Sequence, residues 1–266
     1  MTMPFVTGEP GAVYNSEVWP GLRLQFGERH LLLEAPEELD GLSSSVFGGG
    51  PGALRRMVNI YVDRTYRCDD PQRDIAALLR EWGYPAEGTA GLLTAVQLRY
   101  AAVAEERGED FAVFCCATAG TGNAARAGVR RTTFPASWTP GTINIMLAVD
   151  GRLTPAALVN AVITATEAKT AALADLGVRD AENGLAATGT TTDAVVLGAS
   201  QRAGWPLLHA YAGTATDLGG TVGRLVYTAV TESLRAAAEA EAETGAGAGT
   251  GPGTGPGTGT GPGLRP

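Results

Sequence analysis

The sequence has few of the residues that hold metals or build disulfide frameworks. It contains two histidines, His30 and His209, and no H-E-x-x-H sequence, so a histidine-rich metal site is not expected. A site in which carboxylates hold a metal stays open. The three cysteines, two of them adjacent in an apolar run, lack the spacing of a disulfide framework. The G-x-S-x-G sequence of a serine-hydrolase elbow is also absent.

The charge balance and the lack of long apolar runs exclude further classes. Asp and Glu outnumber Lys and Arg by 28 to 20, and an acidic surface repels phosphate backbones. The N-terminus lacks the basic and apolar regions of a secretory signal. The longest apolar helix candidate is interrupted by Glu167 and Lys169, so no membrane span is predicted. We therefore expect a cytoplasmic protein with neither nucleic-acid nor membrane partners.

Aromatic residues are scarce, at 6%, whereas hydrophobic residues as a whole make up 44% of the chain. Ala, Val and Leu therefore fill most apolar positions, and the chain is long enough to bury a sizeable core. From about residue 244 onward the sequence is almost entirely Gly, Thr, Pro and Ala, a composition that buries too little apolar surface to fold. We predict a single domain over residues 1–243 and a disordered tail over residues 244–266.

Strand patterns dominate the first half of the chain. Short apolar or alternating runs between turn residues predict strands at 22–26, 30–33, 58–62, 96–104, 111–118, 143–149 and 193–197. The run 111–118 is almost wholly apolar, which is typical of a strand covered on both faces. Together with 96–104 it predicts an antiparallel pair.

Long helices are predicted mainly in the second half. Asp70-Pro71 and Thr154-Pro155 each combine an N-cap residue with a proline at the first helical position, which predicts helices over 71–83 and 155–177. A third helix is predicted over 221–243. This order indicates an α+β fold, a single domain with a mixed, largely antiparallel sheet covered by helices. An α/β doubly wound sheet is the alternative.

A glycine-rich stretch directly follows the predicted buried strand 111–118. Its glycines, Gly120 among them, let the backbone approach a ligand closely. Thr121 and Asn123 add short polar side chains, and Arg126 adds a fixed positive charge. An ordinary strand-to-helix turn explains the same spacing equally well, and the stretch is neither a Walker A sequence nor a good G-x-G-x-x-G.

Polar residues also occur where apolar ones are expected. Asn144 lies inside a predicted strand, so its amide either faces a ligand or satisfies a neighbouring loop. Lys169 projects from the apolar face of the helix 155–177, whereas Glu167 lies on another side of it. A lysine aimed at the core snorkels, pairs with an acid or serves a site.

Three small-residue segments complete the candidates. Asp193 follows a Gly/Thr-rich loop at the entrance of a strand, where its carboxylate acts as a general base or simply accepts N–H bonds that hold the loop. The segment 211–219, which includes Thr214, precedes the last helix, and capping is its simpler explanation. Ser44 and Ser45 belong to a similar patch near the N-terminus.

In this order the segments resemble the adenosylcobinamide amidohydrolase (CbiZ) family, from roughly residue 42 to residue 234. Each matching piece is weak alone, whereas the ordered set is fairly specific. The pieces are Ser44-Ser45 with the following glycines, 118–120 with Asn123-Ala124, 141–144, 164–169, 188–193 and 211–213.

The resemblance implies hydrolysis of the amide that joins the aminopropanol arm to a corrin ring. Adenosylcobinamide and water would give adenosylcobyric acid and (R)-1-aminopropan-2-ol, in the salvage of incomplete corrinoids. The partner is then a small-molecule corrinoid. Because that substrate carries its own cobalt, no cofactor and no protein metal site are expected.

For such a reaction, the catalytic candidates are Asp193, Glu167, Lys169 and Asn123. Asp193 or Glu167 would activate water, and Lys169 would polarise the carbonyl or keep the base ionised. Backbone N–H groups of 120–122, with Asn123, would stabilise the oxyanion. Thr121 as a covalent nucleophile is less favoured, since no base is visibly paired with it. The substrate-binding candidates are Ser44, Ser45, Gly120, Thr121, Arg126, Asn144, Thr190 and Thr214.

One departure from the family pattern concerns Ala215, where a histidine is often found. If that histidine is the general base, this chain uses another group or is less active. The departure leaves two alternatives open: a non-catalytic corrinoid-binding protein, and an amidase that acts on another small molecule.

Overall fold

The computed structural model describes residues 1–133 and 141–247. They form a nine-stranded sheet, two small two-stranded sheets and three α-helices. The strands of the large sheet are β1 (Val13–Asn15), β2 (Arg23–Phe26), β3 (His30–Ser43), β4 (Gly50–Tyr61), β5 (Thr89–Thr94), β6 (Ala102–Arg107), β7 (Ala112–Ala119), β9 (Ile143–Asp150) and β12 (Ala194–Ala199). The small sheets pair β8 (Ala124–Ala125) with β11 (Gly189–Thr190) and β10 (Arg152–Leu153) with β13 (Leu208–His209). The helices are α1 (Pro71–Glu81), α2 (Pro155–Asp175) and α3 (Asp217–Gly247).

The large sheet has the order β1-β2-β3-β12-β9-β7-β6, with β4 on the other edge of β3 and β5 beside β4. Its pairs are antiparallel except for β4–β5 and β12–β9, which are parallel. The predicted α+β class, one domain with a mixed and largely antiparallel sheet, is therefore confirmed, and the doubly wound alternative is not adopted.

Strand β3 is the long strand about which the sheet curls. Its first half pairs with β2 and its second half with β12. The register of the β3–β4 pair shifts between Glu34 and Leu39, a stretch that contains Pro36, which has no N–H to donate. An irregularity of this kind bends a strand, and here it coincides with the change of partner.

Helices α2 and α3 pack on one face of the sheet and bury a core with the strands β7, β9 and β12. Alanine occupies many of the buried positions of α2, which lets the two helices and the sheet approach closely. A second core, rich in Leu and Phe, lies on the other face against the N-terminal strands.

The predicted helix starts are confirmed. Asp70 accepts a hydrogen bond from the Arg73 amide (3.1 Å), and Thr154 accepts one from the Ala157 amide (3.1 Å). The start predicted for the strand 96–104 was wrong, because Leu98–Tyr100 form a 3-10 turn and the strand begins at Ala102.

Two further elements differ from the prediction made from the sequence. Strand β5 was not predicted, since it is buried on both faces and shows no alternation. Helix α3 continues to Gly247, and the rest of the predicted tail, residues 248–266, lies outside the described residues. In the described part of the chain, no helix is long and apolar enough to cross a membrane.

Candidate active site

Lys169 and Asp193 form an ion pair between helix α2 and the entrance of strand β12. The Lys169 ammonium donates to Asp193 Oδ2. The side chains are 8% and 13% exposed, so the pair is largely withdrawn from solvent. A lysine aimed at the core was expected to snorkel, to pair with an acid or to serve a site, and in the structure Lys169 pairs with an acid.

The Asp193 carboxylate accepts four hydrogen bonds. Its Oδ1 accepts from the Ile143 amide (3.1 Å) and from the Thr190 hydroxyl. Its Oδ2 accepts from the Thr190 amide (3.0 Å) and from Lys169. A carboxylate offers about four lone-pair positions, so those of Asp193 are filled. Asp193 thus both holds the loop and stands in contact with a hydroxyl.

Gly189 packs directly against this pair. A Cβ at this position would lie 2.6 Å from Lys169 Nζ and would also overlap Asp193 Oδ2. Only a residue without a side chain lets strand β11 pass this close, which explains the glycine between two threonines.

A cavity of about 250 Å³ opens beside Asp193. Four of the predicted site residues line it: Ser44, Ser45, Asn144 and Asp193. Most of the remaining wall is apolar, with Val46, Val62, Leu92, Leu93 and Ala194 among the residues that form it. A largely apolar hollow with a few polar groups on one side is typical of a small-molecule site.

The two serines shape the wall of this cavity through their hydroxyl groups. Ser44 Oγ accepts a hydrogen bond from the Val195 amide (3.0 Å) and so continues the β3–β12 ladder. Ser45 Oγ donates to the Phe47 carbonyl (2.7 Å). The Ser44 hydroxyl therefore fixes the start of the loop between β3 and β4 against strand β12, which Asp193 precedes, and the Ser45 hydroxyl holds the loop itself.

Asn144 belongs to a buried chain of amides. Its Nδ2 donates to the Leu93 carbonyl (2.9 Å) and to Asn59 Oδ1 (2.8 Å). Asn59 Nδ2 in turn donates to Thr118 Oγ1 (2.8 Å). Asn144 thus satisfies its neighbours, which is one of the two alternatives predicted for it, and it also lines the first cavity.

Asn123 ties the glycine-rich loop to the threonine-rich one. Its Nδ2 donates to Thr191 Oγ1 (2.7 Å) and to Thr192 Oγ1 (3.2 Å). Its Oδ1 is buried and has no hydrogen-bond partner in the part of the chain that the structure describes. Gly141 lies against this atom, since a Cβ there would be 2.6 Å from Asn123 Oδ1.

A second cavity of about 580 Å³ adjoins the first, and Ala95 and Gly141 line both. Gly120 and Thr121 lie on its wall. The Gly120 amide donates to the Thr142 carbonyl (3.0 Å), so this N–H is already used and is not available to an oxyanion. That part of the predicted oxyanion site is corrected.

Six of the candidates line neither cavity. Lys169, Asn123 and Thr190 contact residues of the wall through the hydrogen bonds given above, and the other three do not. Glu167 is on the exposed side of α2. The Arg126 guanidinium donates to the Ala186 carbonyl (3.1 Å). Thr214 is exposed and lies two residues after Ala212, which contacts Asn160 and Thr164 of α2.

Ala215 is exposed and lies three residues after Ala212, which contacts both Asn160 and Thr164 of α2. Thr164 and Lys169 are five positions apart, or about 7 Å along the helix. The alternatives that follow from the departure at Ala215 therefore stay open.

One signal in the composition was missed. Lys169 is the only lysine in the sequence, and the rest of the 20 Lys and Arg residues are arginines. An ammonium is compact, whereas a guanidinium is a planar fork, so the two are not interchangeable in a tight buried pair. The choice of lysine here indicates a site that arginine does not fit.

The wall of the first cavity also carries polar residues that the sequence did not single out, Asp63 and Tyr66. Asp63 accepts hydrogen bonds from the Thr65 hydroxyl and amide, which lower the pKa of Asp63. Tyr66 donates to Asp74 Oδ2 (2.8 Å), and its burial raises the pKa of Tyr66. Across residues 1–133 and 141–247, no three His, Cys, Asp or Glu side chains gather as metal ligands would.

The fold and the site define a single-domain α+β protein with a small-molecule cavity beside a buried lysine–aspartate pair. Its sequence matches the model of the adenosylcobinamide amidohydrolase (CbiZ) family over residues 17–242. An adenosylcobinamide amidohydrolase from Methanosarcina mazei is 31% identical over 204 residues, which cover 74% of this chain and 88% of that protein. The chain belongs to the adenosylcobinamide amidohydrolase family and is a hydrolase of a linear amide C–N bond.

Two further proteins are similar to this chain, one in sequence and one in structure. An uncharacterised protein of Methanocaldococcus jannaschii is 31% identical over 189 residues, covering 65% of this chain and 71% of that protein. A β-aminopeptidase from a Burkholderia species aligns over 87% of this chain and 86% of that chain, with 12% identity and a TM-score of 0.41. At that score the structural likeness supports no conclusion.

Proposed function

We propose that this protein hydrolyses the amide between the aminopropanol arm and the corrin ring of adenosylcobinamide. The products are adenosylcobyric acid and (R)-1-aminopropan-2-ol, which returns an incomplete corrinoid to salvage. The observation that carries the proposal is the buried Lys169–Asp193 pair at the wall of a small cavity, within the region that matches the family.

The sizes of the two adjoining cavities indicate that different parts of the substrate bind in each. A cavity of about 250 Å³ suits a short arm and its amide but not a macrocycle. The arm enters this cavity beside Asp193, and the corrin ring and its side chains remain toward the larger cavity lined by Gly120 and Thr121. The cobalt arrives as part of the substrate, so the protein uses no further cofactor.

Asp193 is the proton acceptor and Lys169 is a positioning residue. The ammonium fixes the orientation of the carboxylate through their ion pair. Ser44, Ser45 and Asn144 shape the cavity that receives the arm, while Asn123 holds the loops on either side of Gly141. Glu167, Arg126 and Thr214 have no part in the reaction.

The test is incubation of the purified protein with adenosylcobinamide, followed by mass spectrometry of both products. Release of adenosylcobyric acid and aminopropanol in equal amounts is expected, and Asp193→Asn should abolish it. The Glu167→Gln protein, altered on the exposed side of the same helix, is the matched control and should keep full turnover.

Two outcomes contradict the proposal. Tight binding of the corrinoid without release of aminopropanol identifies a binding protein instead of an enzyme. If neither binding nor release is found, both corrinoid functions are wrong.

A further inference from the structure

The contacts of Asp193 indicate which oxygen attacks the amide carbon. A general base takes its proton from a group within hydrogen-bond reach. The donors to Asp193 are the Ile143 amide, the Thr190 amide, the Lys169 ammonium and the Thr190 hydroxyl. Of these four, only the hydroxyl yields an oxygen nucleophile when it loses its proton.

A water molecule is poorly placed to take this role. The four donors fill the lone-pair positions of the carboxylate, so a water would have to displace one of them before Asp193 acted on it. The Thr190 hydroxyl needs no displacement, because it is already hydrogen-bonded to Oδ1.

We propose that Thr190 is the catalytic nucleophile and forms an ester with the substrate. This inference rests on the proposed function, since it names the attacking group of that reaction. Thr190, Asp193 and Lys169 then form a nucleophile, a base and the group that orients the base, joined by consecutive hydrogen bonds. An arrangement of this kind is what activates a hydroxyl that is weakly nucleophilic by itself.

The backbone around Thr190 is fixed. Strand β11 pairs Thr190 with Ala124, and the Thr190 amide is bound to Asp193 (3.0 Å). Thr190 is half-buried and is not itself part of the wall of the first cavity, but its hydroxyl is bonded to Oδ1 of Asp193, which lines that cavity. The Thr192 amide donates a long hydrogen bond to Thr190 Oγ1 (3.4 Å), which supports the negative charge that this oxygen gains as its proton passes to Asp193.

The steps balance with water as the only co-reactant. Thr190 Oγ attacks the carbonyl carbon while its proton passes to Asp193 Oδ1, and the carbonyl electron pair moves to the oxygen. Collapse breaks the C–N bond, and Asp193 gives the proton to the leaving amine. Water then attacks the ester carbonyl and gives a proton to Asp193, which returns it to Thr190 Oγ as the acid leaves.

The experiment compares wild type with Thr190→Ser, Thr190→Val and the control Thr166→Val. Thr166 is exposed on α2 and its hydroxyl donates to the Val162 carbonyl, so its loss should leave turnover unchanged. Thr190→Ser keeps a hydroxyl and should retain turnover within about tenfold. Thr190→Val keeps the shape but not the oxygen and should lose at least about a thousandfold in kcat.

A covalent readout separates a nucleophile from a residue that only holds the loop. Acid-quenched single turnovers of wild type and Thr190→Ser should show the chain with an added corrinoid acyl group on the peptide that contains residue 190. With hydroxylamine present, wild type should release a corrinoid hydroxamate together with aminopropanol. Thr190→Val should give neither species.

Two results overturn the role of Thr190 while the proposed function stands. One is a Thr190→Val protein with wild-type kcat. The other is wild-type release of aminopropanol with neither acyl-protein nor hydroxamate, a result that holds even if the valine variant fails to fold. If wild type releases no aminopropanol, the proposed function fails and the role of Thr190 fails with it.

Discussion

Lys169 and Asp193 are 24 residues apart in the chain, yet their charged groups are in direct contact beside Gly189 of strand β11. The only lysine side chain of the protein thus pairs with one carboxylate at the wall of a cavity. Burial of a charge costs stability unless the charge is paired, so each of the two residues depends on the other. We therefore expect substitutions at the pair, or at residues that pack against it, to lower kcat.

Replacement of Lys169 by arginine should not be conservative. The guanidinium is larger than the ammonium and would meet the Gly189 backbone, so Asp193 would shift. We expect Lys169→Arg to lower kcat by at least about 100-fold, the usual contribution of a correctly placed base. Steady-state release of aminopropanol measures this, with the exposed Arg235→Lys as control. Wild-type kcat in Lys169→Arg would show that the pair needs only positive charge.

Gly189→Ala should damage both stability and activity. The added methyl would overlap the Lys169–Asp193 pair, and overpacking of this kind costs about 1–3 kcal/mol. The free energy of unfolding, measured in urea, and kcat should both fall. Gly204→Ala is the matched control, because a Cβ at Gly204 meets nothing within 4 Å. Equal stability of the two variants would contradict the close packing at Gly189.

The amides of Asn59 and Asn144 should be energetically coupled. Both side chains are buried, so removal of one leaves a polar group of the other without a partner, at a cost of about 1–3 kcal/mol. Asn59→Leu and Asn144→Leu should each destabilise the protein by this amount, and the double variant should lose less than the sum. Urea unfolding of all four proteins tests this, and strict additivity would exclude the coupling.

His30 should make stability depend on pH in the acid range. It is buried against Trp82, at 4.0 Å between ring centroids, and desolvation lowers the pKa of His30 from 6.5 to about 4. Between these values the unfolded chain holds a proton that the folded chain does not. The free energy of unfolding should therefore fall by about 2–3 kcal/mol as the pH drops from 6.5 to 4.

Urea unfolding across that pH range measures the effect of His30. The His30→Phe protein keeps an aromatic ring against Trp82 and lacks the titrating group, so its slope in this window should be smaller. An identical slope in the two proteins would assign the acid dependence to other groups.

Features set by a few neighbouring residues could be predicted from the sequence. Asp70-Pro71 and Thr154-Pro155 fixed the helix starts, since an N-cap bond spans only three residues. The apolar run of β7 indicated a strand covered on both faces, and the order of strands and helices gave the α+β class. The ordered small-residue motifs identified the family, and the helical period placed Lys169 on an apolar face.

Tertiary structure alone decided which of the candidates meet. Ser44 reaches Val195 across 151 positions because β3 pairs with β12, and Asn144 reaches Asn59 because the sheet curls. The same packing leaves Glu167 exposed and places the segment of Thr214 against Asn160 and Thr164 of α2. Local sequence determined the elements and the kinds of side chain they carry. Strand register and helix packing determined which of those side chains share a site, because such contacts depend on residues far apart in the chain.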